Sequence, residues 1–99
     1  MSDEKPDNEF WDRADEVIAL ANNQCNNAAM GTVSSSLLYA AARFNAFIVA
    51  SMADDAEDMQ NDKDKAIEYF TEQYKKMFTE NFDNYLENYE TYIQGGKSS

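Results

Sequence analysis

The chain has 99 residues, nineteen acidic against eight basic, for a net charge of −11, with one cysteine and no histidine. It lacks any contiguous basic patch, so direct nucleic-acid binding through phosphates is not expected, and anionic membrane surfaces should repel it. A lone cysteine cannot build internal disulfides, which fits a reducing cytoplasm. The missing histidine removes the commonest general base near neutral pH and the usual zinc and di-iron sites.

Taken in order, residues 1–6 read as a polar tail, acidic and without the apolar run of a signal peptide. Asp7 or Asn8 then caps a first helix over about 7–27, with Glu9 favouring the positive end of its dipole. Phe10, Trp11, Ala14, Val17, Ile18, Ala21 and Cys25 repeat at three- and four-residue spacing and form one apolar stripe. Asn26, Asn27 and Gly31 read as its terminators. Cys25 lies on that stripe without a histidine partner and reads as a small buried hydrophobe rather than a nucleophile.

A second helix, 33–53, opens at Thr32 or Ser34 and is apolar nearly all round. Val33, Leu37, Ala40, Ala41, Phe44, Phe47, Ile48 and Met52 fall on one side, and Leu38, Ala42, Ala46, Val49 and Ala53 on the other. A helix without a polar face is normally covered on every side, and a chain of this size buries only about 60–65% of its unfolded surface. A second copy is therefore expected to cover Leu38, Ala42, Asn45 and Val49, together with aromatic residues of the third helix, with Asn45 fixing the register. Arg43 reads as a buried polar group or one half of an ion pair to a carboxylate of a neighbouring helix. The stretch is long enough to cross a bilayer, but Arg43, Asn45 and Ser34 to Ser36 inside it argue against a membrane span.

Residues 54–64 read as an acidic loop, ending where Asn61 or Asp62 caps a third helix over about 62–93. From Asp58, oxygen-bearing residues alternate as in a calcium loop, but Lys63 stands where glycine is needed and Tyr69 where glutamate is needed, so a solvated loop is expected. Ile67, Phe70, Tyr74, Met77, Phe78, Phe82, Tyr85, Leu86, Tyr89, Tyr92 and Ile93 make a wide apolar face. Glu72 with Lys76, and Lys76 with Glu80, are spaced as i,i+4 ion pairs on the opposite side. Either this helix breaks near Thr79–Asn81 or its aromatic half needs outside cover. Tyr69 projects from the polar side and, with Asp54, Asp55 and Asp58, is the expected partner surface. Residues 94–99 read as a second tail.

The sequence contains no phosphate-binding, dinucleotide-binding or nucleophile-elbow motif, and no cofactor or metal is expected. The expected architecture is an all-α, three-helix up-down-up bundle over 7–93 with a long C-terminal helix, in a dimeric helical assembly. A non-enzymatic interaction or regulatory module, homodimeric and cytoplasmic, follows from these readings. The alternative is an acidic mimic or immunity-type protein binding a basic nuclease or nucleic-acid-binding protein.

Three blocks, DRADEVIALAN (12–22), VSSSLLYAAARFNAFIVA (33–50) and AIEYFTEQYKKMFTENFDNYLENYE (66–90), together resemble a family of small proteobacterial helical proteins classed only as a domain of unknown function. The resemblance covers most of 9–91 and implies a bacterial, cytoplasmic, stand-alone helical protein. It supplies no catalytic motif to carry over.

Overall fold

A computed structural model describes residues 7–94; the expected tails lie outside these, apart from Gln94. The protein is all-helical. Helix α1 spans Asn8–Gln24, α2 spans Met30–Met52, α3 spans Ala56–Glu87, and a π-helical turn, Glu90–Gln94, follows. The chain divides into two units, Met1–Ile48 and Val49–Ser99, and the division falls inside continuous α2 rather than at a linker.

In the first unit, Asp7 caps α1, its carboxylate accepting the Phe10 N–H at 2.8 Å. The helix ends three residues before the expected boundary. The Cys25 N–H is shared between the carbonyls of Ala21 (3.2 Å) and Asn22 (3.1 Å), which closes the last turn. Gly31 is not a terminator. It has no left-handed φ and lies inside α2, which starts at Met30 rather than 33. Ala29 holds the capping position, its carbonyl accepting the Val33 N–H at 3.1 Å, so the expected caps Thr32 and Ser34 are already helical.

Among the described residues Val33 alone is buried, 5% exposed. On α1, the half-covered residues are Ala14, Ala21 and Cys25, which share one narrow stripe at i, i+7 and i+11. The large members of the predicted stripe, Phe10, Trp11, Val17 and Ile18, stay exposed beside it. By length and composition α2 is long and apolar enough to cross a membrane, and almost none of its apolar length is buried.

In the second unit, the expected acidic loop is mostly helix. Asp55 caps α3, and the acids that follow lie in its first turns. The physical reason is the helix dipole: carboxylates that disfavour a helix interior are stabilised at its positive end. Only residues 53–55 separate α2 from α3. Helix α3 runs unbroken through Thr79–Asn81, so a break there is excluded, and the α-helical run stops at Asn88 instead. At 32 residues α3 is about 48 Å long. Its half-covered side is Asp58, Met59, Ala66, Tyr69, Phe70 and Gln73. Its aromatic side is open.

Among the described residues, the ion pair that forms is Arg13–Glu9 at 4.0 Å, between two exposed side chains. The expected Glu72–Lys76 and Lys76–Glu80 pairs do not close to that distance. Such pairs in water gain only about 0.3–0.5 kcal/mol, too little to hold two long side chains together.

Candidate functional site

The candidate site is the open face of α2. Tyr39, Ala40, Arg43, Phe44 and Phe47 line an open concavity of about 530 Å³. Helical spacing brings them to one side: Tyr39, Arg43 and Phe47 at i, i+4 and i+8, with Ala40 and Phe44 alongside. Tyr39 is 69% exposed, Phe44 62% and Phe47 59%. The two phenylalanine rings lie 6.3 Å apart, tilted by 35°. Ala40 leaves a floor between the larger side chains. The result is an apolar trough with one cation in it, suited to an apolar or aromatic group flanked by a carboxylate.

Arg43 is the main correction here. It is exposed and, among the described residues, pairs with no carboxylate. The sequence reading as a buried or paired residue does not hold, because its stripe on α2 faces outward. A guanidinium there keeps its water and needs no partner, while its stem covers apolar surface.

The expected interface residues sit roughly 160° around α2 from this trough. Leu38 and Ala42 are exposed, whereas Asn45 and Val49 are half-buried. Phe44 and Phe47, read as covered, are more open than Asn45 and Val49. The signal that was available is composition: Tyr, Phe and Arg on one helix stripe are the residue types enriched where proteins meet.

The acidic residues of the expected partner surface are brought together, but for a local purpose. Asp55 accepts the Asp58 N–H at 2.8 Å, and Asp58 accepts the Asp54 N–H at 3.0 Å. Asp55 is the N-cap, and Asp58 reaches back past it to the Asp54 N–H, a variant of the capping box visible in the sequence as acids at 54, 55 and 58. Tyr69 lies apart from them, half-buried, its ring 5.1 Å from Phe70 and edge-on. Among the described residues no three metal-ligating side chains converge. Cys25 is half-buried at the end of α1.

The fold has a counterpart in a solved structure. The chain is similar to the protein NB7890A from Shewanella sp., known by NMR, with 35% sequence identity and a TM-score of 0.73 over 93% of this chain and 98% of that one. No curated protein matches the chain. Residues 10–86 match the family described as Protein of unknown function (DUF3144), which takes in α1, α2 and nearly all of α3. With that match, and with a relative of this identity covering almost the whole chain, this protein belongs to the DUF3144 family.

Proposed function

We propose that this chain is a non-enzymatic protein-interaction module that works as a homodimer in the cytoplasm. The observation that carries the reading is the state of its apolar side chains. Among the described residues one is buried, while many large apolar groups on all three helices stay exposed. Soluble chains rarely leave such surface to water, and contiguous apolar patches mark interaction sites. The up-down-up bundle over 7–93 would then be completed between copies, with Leu38, Ala42, Asn45 and Val49 among the residues covered. The concavity at Tyr39, Arg43, Phe44 and Phe47 remains for an unidentified protein partner.

The acidic-mimic reading stands second. The net charge of −11 favours it, but Asp55 and Asp58 are already engaged with backbone N–H groups. Light scattering behind a sizing column, at low and high salt, tests the proposal. A dimer in both conditions supports it. A monodisperse monomer at micromolar concentration overturns the homodimer.

A further inference from the structure

We infer that α3 pairs with α3 of a second copy, antiparallel, along its aromatic stripe; this rests on the homodimer reading and names the surface that forms it. The stripe is Tyr74, Phe78, Phe82, Tyr85, Tyr89 and Tyr92. Residues 74 to 92 are crossed in five steps, 3.6 residues per step, so the stripe does not drift around a straight helix. Its rings meet along the axis: Tyr74–Phe78 and Phe78–Phe82 tilted at 5.8 Å, and Tyr85–Tyr92 edge-on at 5.4 Å. The last contact keeps Tyr92 on the stripe although it lies beyond the end of α3.

Over residues 71–92 the line of rings carries no charge, with Lys75 at its margin and Thr71 and Asn81 among the rings. Asn81 donates its side-chain N–H to the Met77 carbonyl at 2.8 Å, and Asn88 donates to that of Asn84 at 2.9 Å. These amides have a partner within their own chain, which lowers the cost of covering them.

The area fits a second copy. The six rings are 43–54% exposed, which leaves roughly 600 Å² uncovered, given ~200 Å² for a whole aromatic side chain. Ile67, on the same stripe, brings the total to roughly 700 Å² per copy, within the about 600–1,000 Å² from each partner in a standard interface.

Charge then selects the direction. All four lysines of α3 lie in residues 63–76, whereas residues 77–90 hold Glu80, Asp83, Glu87 and Glu90 and no base. Parallel pairing stacks the acidic halves on each other. Antiparallel pairing with Thr71 against Asn88 sets residues 77–90 against 69–82, where Lys75 and Lys76 balance Glu72 and Glu80, and it opposes the helix dipoles. A two-fold axis across the helix produces that arrangement.

The test is sedimentation equilibrium of the full chain, with Phe82→Glu and Leu38→Glu compared. Wild type is expected to be dimeric, and Phe82→Glu to weaken the dimer by at least about 100-fold with its helical circular dichroism retained. A wild-type monomer overturns both this inference and the homodimer. A dimer that survives Phe82→Glu and is lost in Leu38→Glu overturns the inference and leaves the homodimer standing. A second measurement leaves the rings intact. In a Cys25→Ser background, Thr71→Cys and Asn88→Cys chains are mixed and oxidised. Antiparallel overlap gives the mixed disulfide; Thr71→Cys chains linked to each other mean parallel pairing and overturn the proposal.

Discussion

Asp55 and Asp58 satisfy backbone donors that the start of α3 leaves free, and this sets what replacing them costs. Removing an N-cap carboxylate destabilises a helix by about 1 kcal/mol. Asp55→Ala is therefore expected to lower the urea midpoint measurably by circular dichroism, while Asp62→Ala, exposed within the helix, shifts stability by less than about 0.5 kcal/mol. Arg43 allows a sharper decision. An arginine that is exposed and unpaired should tolerate truncation, so Arg43→Ala is expected to change unfolding stability by less than about 0.5 kcal/mol. A cost of about 3–5 kcal/mol would instead mean a buried ion pair that the substitution breaks. The presence of an arginine in this helix was legible from sequence, but its direction was not, since α2 has apolar residues on both sides of it.

At the scale of the element, the helices were legible and their ends less so. The start of α1 was legible to within Asp7 or Asn8 because capping side chains precede an amphipathic repeat, and the structure selects Asp7. The start of α3 was misplaced because a run of acids looks like a loop by composition, yet suits the first turns of a helix by electrostatics. The start of α2 was misplaced because Ala29, in the capping position, has no side-chain acceptor to announce it. That vacancy and Gly31 together give a prediction. Gly31 is helical, and a Cβ added there meets nothing within 4 Å. Gly31→Ala is expected to stabilise by about 0.4–1 kcal/mol, and Ala29→Ser to add about 0.5–1 kcal/mol by supplying a cap. Thermal unfolding followed by circular dichroism checks both, at about 4–8 °C per kcal/mol for a domain of this size.

For the whole molecule, charge and apolar exposure oppose each other. Two copies at −11 repel, and salt weakens that repulsion while leaving apolar contact intact or strengthening it. Self-association is expected to tighten when salt is raised from about 50 to 500 mM, a range over which the screening length falls to a few ångströms. Light scattering across that range decides it. Loss of the complex with salt would favour a charge-held partner, as the acidic-mimic reading requires.

By itself the sequence determined that this protein is three helices, that the first begins at Asp7 or Asn8, that α3 carries a wide aromatic-rich apolar face, and which family the chain resembles. Those features follow from spacing and local chemistry, which a single helix already expresses. Only the tertiary structure decided which stripes are covered: that Val33 is buried, that Asn45 and Val49 are half-covered while Phe44 and Phe47 are open, and that Arg43 faces outward. The reason is geometric. Periodicity identifies the apolar faces of a helix, but on α2, where both faces are apolar, it cannot rank them. That ranking is set by how the helix is turned against its neighbours.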